Sequence, residues 1–101
     1  MIWINGLWWN VTLVPWNNYN LINFNGKYTI GMTDTEYKTI YINNQLSEAL
    51  FRKTLIHELA HAWLYSYGIV LDISTEEFVC DFVAANSDDI LSKADEYLWL
   101  R

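Results

Sequence analysis

The sequence predicts an α+β fold, in which a small, mainly antiparallel three-stranded sheet packs on one helix and a second long helix closes the chain. Residues 1–44 are mainly β-branched, aromatic, Asn or Gly, which is typical of strands joined by turns. Apolar residues then recur at three- and four-residue spacing over residues 47–67 and over residues 74–98, which indicates two helices. Because only 18% of the 101 residues are charged and 52% are hydrophobic, we expect one folded domain spanning residues 1–101.

The first half of the chain contains three predicted strands. Residues 2–14 are apolar with a break at Asn5-Gly6, so they form either one bent strand or a hairpin. A loop rich in Asn and Gly follows, as expected for a segment with several turns. Residues 28–33 are predicted as the second strand and residues 39–43 as the third, antiparallel to the second.

The two helices carry recognisable boundary signals. The first is expected to begin at Ser47, whose side chain can cap it, and to stop at Gly68. Ser74 followed by Glu77 matches a capping box and predicts the start of the second helix. This helix is expected to continue toward Leu98, with a bend near Asn86.

Charge and cysteine content exclude several classes of protein. The formal net charge is −6, which argues against binding to nucleic acid or to an anionic membrane. The single cysteine, Cys80, rules out an internal disulfide. No apolar run approaches the roughly 20 residues of a membrane span, and the first residues do not resemble a signal peptide. We therefore expect a soluble cytoplasmic protein.

The chemistry is concentrated in a His-Glu-x-x-His motif formed by His57, Glu58 and His61. Residues four apart on a helix share a face and lie about 6 Å apart along its axis, so the two imidazoles can bind one metal ion. Zinc suits such nitrogen ligands and activates water near neutral pH. Glu58 lies beside the pair, where it can take a proton from the activated water and return it to a leaving amine.

A third ligand must come from elsewhere, because catalytic zinc sites normally have three protein ligands. Glu77 and Asp81 are four residues apart on the second helix, so Glu77 can bind zinc while Asp81 holds a ligating histidine through its other ring nitrogen. Two alternatives stay open: Glu76 is the ligand, or Glu77 closes the capping box with Ser74. Cys80 is more typical of a small buried side chain than of a ligand.

The histidine motif, followed after a short connection by residues 77–85, resembles the ImmA/IrrE family of small zinc metallopeptidases. This is a gluzincin-like group with a zincin-like fold, frequent in phages and other mobile elements. The resemblance covers roughly residues 28–85 and includes the predicted strand at residues 39–43. Asp81 departs from the pattern, since the family usually has Asn there.

Carried over residue by residue, the resemblance implies that His57, His61 and Glu77 bind Zn²⁺ and that Glu58 is the general base. It implies a metallopeptidase acting on a protein or peptide, by analogy a helix-turn-helix transcriptional repressor. We expect an extended substrate to lie along residues 39–43 as an added edge strand. The alternatives are a non-catalytic zinc-binding protein of the same fold that acts by protein–protein interaction, and a metal-free module in which the motif is accidental.

Overall fold

The computed structural model describes residues 1–100. Along this part of the chain the elements are β1 (Ile2–Ile4), β2 (Leu7–Val14), a short 3₁₀ helix (Tyr19–Leu21), β3 (Gly31–Asp34), β4 (Thr39–Asn43), α1 (Glu48–Ser66) and α2 (Ile73–Leu100). The α+β prediction is confirmed. The described sheet has four strands where three were expected.

The fourth strand arises because residues 2–14 form a hairpin, which is one of the two expected alternatives. β1 and β2 pair antiparallel, with Ile4 opposite Leu7. The two residues between them, Asn5 and Gly6, have φ angles of 44° and 92°. Two successive positive φ angles define the tight hairpin turn for which Asn-Gly is the preferred sequence.

The strand order is β1-β2-β4-β3, with β2 and β4 parallel and the other two pairs antiparallel. The prediction that residues 39–43 form an exposed edge was wrong, because β4 lies between β2 and β3. The eight-residue strand β2 pairs with β4 on the side opposite β3, the side that was expected to stay free. β3 is therefore an edge strand, and it contacts α1.

The core forms where the sheet packs against α1. Ile4, Trp9, Ile40, Ile42 and Ala62 are completely buried there. As alternation predicts, the side chains two residues apart on β4 enter the same core. β3 and β4 both contact α1, and α2 packs on the other side of α1. This arrangement places α1 between the sheet and α2, with its middle turns facing both.

The helix boundaries match the expectation for α1 and correct it for α2. The Ser47 hydroxyl caps α1 by accepting the backbone N–H of Leu50 at 3.2 Å. At α2 the capping residue is Asp72, whose carboxylate accepts the backbone N–H and the hydroxyl of Thr75, both at 2.9 Å. The capping box expected from Ser74 was wrong, because the Asp72 cap starts α2 one residue before Ser74. Neither helix described over residues 1–100 is long and apolar enough to cross a membrane.

Candidate metal centre and active site

Three predicted site residues come together between α1 and α2. His57 and His61 lie one turn apart on α1, and their Nε2 atoms are 3.2 Å from each other. The Glu77 carboxylate of α2 faces both rings, with Oε2 3.2 Å from Nε2 of His57 and Oε1 3.0 Å from Nε2 of His61. Glu77 thus points at the histidines and does not turn back to the start of its own helix.

The outer nitrogen of each imidazole contacts a different carboxylate. Nδ1 of His57 is 2.9 Å from Oδ1 of Asp81, and Nδ1 of His61 is 2.5 Å from Oε2 of Glu76. Because an ionised carboxylate only accepts hydrogen bonds, Nδ1–H of each ring donates to its carboxylate, and Nε2 is the ring nitrogen that faces Glu77. Asp81 thus makes the contact expected of it, and Glu76 faces the outer side of His61.

This donor set fits a zinc ion. Two imidazole nitrogens and a carboxylate oxygen are ligand types that zinc prefers, at bond lengths of about 2.0–2.2 Å. Around a tetrahedral ion these lengths place neighbouring ligand atoms about 3.3 Å apart. The observed separations of 3.0–3.2 Å lie close to that value. His57, His61 and Glu77 can therefore hold a metal ion together.

Glu58 lies next to this group and is largely buried, at 6% exposure. Its Oε2 is 3.9 Å from Nε2 of His57, and its Oε1 is 2.8 Å from the Thr33 hydroxyl on β3, which can donate to it. Burial raises the pKa of the Glu58 carboxyl, and the Thr33 hydrogen bond and the nearby histidines offset part of that shift. A carboxylate with a raised pKa is a stronger base, which suits proton transfer.

β3 passes unusually close to α1 at Gly31. A β-carbon there would lie 2.7 Å from Cγ2 of Thr54, 3.0 Å from Oε2 of Glu58 and 3.1 Å from Cγ of Glu58. Carbon atoms in ordinary contact are about 3.5–4.0 Å apart, so no larger residue fits without movement. Glycine at this position lets the edge strand lie against the Glu58 side chain.

Cys80 takes the structural role expected of it. It is completely buried, and it is not one of the three residues whose ligand atoms converge. Burial, together with the nearby carboxylates of Glu76 and Glu77, raises the pKa of the Cys80 thiol to about 12. The side chain is therefore a protonated thiol and packs as a small apolar group.

The sequence did not single out two residues that contact Glu58. Gly31 and Thr33 are two residues apart on β3 and so face the same side of the strand. Alternation along the predicted strand therefore places both residues on one face, yet only the packing of β3 on α1 shows that this face is directed at Glu58. Nor did the sequence predict the contact between Glu76 and the outer nitrogen of His61.

A cavity of about 910 Å³ opens over the histidines, bordered by residues of β3, α1 and the start of α2. Its lining includes His57, Glu58, His61, Glu76, Glu77 and Asp81. Such a cleft, with a few polar groups converging on its floor, is the usual form of a ligand site.

Comparison with known proteins identifies the family. No curated protein and no solved structure matches the chain. Residues 20–86 match the model of a peptidase family described as the IrrE N-terminal-like domain. The match covers about two thirds of the 101 residues and includes both histidines and the four carboxylates around them. The chain therefore belongs to the IrrE N-terminal-like family of metal-dependent peptidases.

Proposed function

We propose that this protein is a zinc-dependent metallopeptidase that hydrolyses a peptide bond in a protein substrate. The observation that carries the proposal is the convergence of His57, His61 and Glu77 beside the buried carboxylate of Glu58. Zinc held by these three side chains would polarise the scissile carbonyl and lower the pKa of water at the site. Membership of a peptidase family supports the same reaction class.

The residues around the histidines have separate roles in the proposed reaction. Glu58 takes the proton of the attacking water and delivers it to the leaving amine, the two transfers expected of one carboxylate in amide hydrolysis. The Thr33 hydroxyl orients Glu58 through its hydrogen bond at 2.8 Å. Asp81 and Glu76 fix the ring orientation and the tautomer of His57 and His61, respectively.

β3 is the strand suited to bind an extended substrate. It is an edge strand, it lines the cavity, and its residue Gly31 lies beside Glu58. A peptide added to this edge would form main-chain hydrogen bonds with it and pass over the histidines. The expected substrate strand thus moves from residues 39–43 to residues 31–34. The repressor suggested by the family resemblance would present its cleavage site here in extended form.

The variant Glu58→Gln tests the proposed chemistry. It keeps the size of the side chain and the acceptor for Thr33 but cannot take a proton, so we expect normal zinc binding and a loss of peptide cleavage of about 10²-fold or more. Glu96→Gln, which removes one acid from α2 far along the chain from the motif, is the matched control and should cleave like the parent. Zinc content is measured by elemental analysis and cleavage by mass spectrometry of a peptide mixture.

Either of two results would contradict the proposal. One is a Glu58→Gln protein that cleaves at the parent's rate, because it would remove the assigned general base. The other is a parent protein that takes up no zinc on titration, because the three convergent side chains would then have another role.

A further inference from the structure

The cleft over the histidines has two exposed apolar walls that the proposed hydrolysis does not use. The first, here called the Phe24 wall, consists of Phe24, Ile30 and Leu50, which are 74%, 41% and 40% exposed. The second, the Val70 wall, consists of Ile69, Val70 and Ile73, which are 44%, 91% and 55% exposed. Single exposed apolar residues are ordinary, but groups of them lining one cavity mark a binding surface.

The two walls lie on opposite sides of the histidines. β3 runs along α1 in the same direction, because Gly31 lies against Thr54 and Thr33 lies against Glu58. Ile30 is therefore near the first turns of α1, where Leu50 also lies, and the loop with Phe24 precedes β3 at the same end. The Val70 wall, in contrast, belongs to the connection that follows the end of α1 and to the first residue of α2.

Helix geometry sets the distance between each apolar wall and the histidines. Leu50 precedes His57 by seven residues, which is about 10 Å along the axis, and α1 ends five residues after His61, about 8 Å further on. An extended chain rises about 3.3 Å per residue, so each wall lies about three to four residues from a bond held midway between the histidines. Glu76, Glu77 and Asp81 already face the imidazoles. The two walls are exposed apolar surface that the cavity offers to substrate side chains, beside other lining residues such as Met32, Lys53 and Tyr65.

We propose that the substrate is an extended segment with an apolar side chain on each side of the scissile bond, within about four residues of it. The Phe24 wall binds one of these side chains and the Val70 wall binds the other. This rests on the proposed peptidase function and adds the class of peptide that the site selects. Segments with polar or acidic residues at both places would bind weakly, because nothing would cover the two walls.

The zinc-loaded full chain is incubated with a peptide library, and cleavage sites are read by mass spectrometry. We expect apolar residues to be enriched on both sides of the cleaved bonds. Phe24→Ser and Val70→Ser should each lower kcat/KM for such a peptide about tenfold, and each should weaken the preference on one side only. The matched controls are Phe82→Ser and Ile90→Ser, which change exposed apolar residues of α2 outside the cleft and should keep the parent's kcat/KM.

Cleavage without apolar enrichment, or an equal loss in the controls, would overturn the proposed selectivity and leave the peptidase function standing. If the library is not cleaved at all, the peptidase function fails, and the walls are then tested by binding. Zinc-loaded Glu58→Gln is titrated with a fluorescent peptide carrying leucine at both places and with the same peptide carrying serine. About tenfold tighter binding of the leucine peptide supports the two walls, and equal binding overturns them.

Discussion

The close approach of β3 to α1 makes Gly31→Ala a sharp test of how the edge strand and the general base are positioned. The added methyl would lie 2.7 Å from Cγ2 of Thr54, about 1 Å nearer than a normal carbon contact, and 3.0 Å from Oε2 of Glu58. Either β3 moves away from α1 or the Thr54 and Glu58 side chains shift by a comparable distance. Both movements displace the carboxylate relative to a peptide bound on β3.

Overpacking of this kind costs about 1–3 kcal/mol of folding free energy, and a shift of about 1 Å in a catalytic group costs about 10²-fold in rate. We therefore expect Gly31→Ala to be folded, modestly destabilised in urea unfolding, and about 100-fold lower in kcat/KM. In the double variant Gly31→Ala/Thr54→Ser, the clashing Cγ2 atom is absent. It should regain part of the stability but little of the activity, because Glu58 still meets the new methyl group.

Gly6→Ala is the matched control, since Gly6 has a φ of 92° and no atom within 4 Å of an added β-carbon. It should lose stability through backbone strain and keep its kcat/KM, because Gly6 lies in the β1–β2 turn and does not line the cleft. A Gly31→Ala protein that cleaves at the parent's rate would refute this role of Gly31 in positioning Glu58. Full activity in the double variant would refute it as well, since the strand would then be positioned by Thr54 alone.

Three further outcomes are expected. Glu76→Gln and Asp81→Asn should each lower zinc affinity about 10–100-fold, and Glu77→Gln should lower it more. Titrations against a chromogenic chelator measure these affinities. Equal effects of all three substitutions would contradict the assignment of Glu77 as the ligand. Saturating zinc at about 100 times its Kd should stabilise the fold by about 2.7 kcal/mol, seen as a fall in Tm on chelation; an unchanged Tm would contradict binding to the folded state. Hydrogen bonds from Thr75 lower the pKa of Asp72 below 3.8. The stabilisation by these bonds is therefore present above pH 3.8 and is lost as the pH falls through the lowered pKa. Between about pH 6 and pH 3, Tm should drop more in the parent than in Asp72→Asn.

The sequence predicted the histidine helix well because its signals are local. The Ser47 cap, the spacing of apolar residues and the position of Gly68 all depend on neighbours within a few turns, and α1 ends close to the expected residue. The fold class followed for the same reason, since residues 1–44 and 47–98 differ clearly in composition. The spacing of His57 and His61 likewise determines that their rings share a face.

The features that were not predicted depend on contacts between distant segments. The parallel pairing of β2 with β4 joins residues about 30 positions apart in the chain, and nothing in either strand specifies which side of β4 is free. The contact of Gly31 with Glu58 is of the same kind. The capping of α2 is a different case. Ser74 and Asp72 are both good capping residues two positions apart, and the local pattern alone does not show which of them caps the helix.

The separate contacts of Glu76 and Glu77 follow from the geometry of the two packed helices. Successive residues of a helix point about 100° apart, so neighbouring glutamates on α2 reach different sides of His61. Asp81 lies one turn beyond Glu77 and reaches the outer nitrogen of His57. α2 can therefore provide a ligand and both supporting carboxylates from residues 76–81.

The same geometry concentrates negative charge. Together with Glu58, the three carboxylates of α2 surround two imidazoles whose neutral form carries no charge. Their mutual repulsion is strongest where water is partly excluded. Burial first, and then the negative charges of the same carboxylates, raise the pKa of the Cys80 thiol. A divalent cation among the Nε2 atoms and Glu77 would offset two of these charges at their centre. We therefore expect zinc binding to stabilise the contact between α1 and α2 as well as prepare the site.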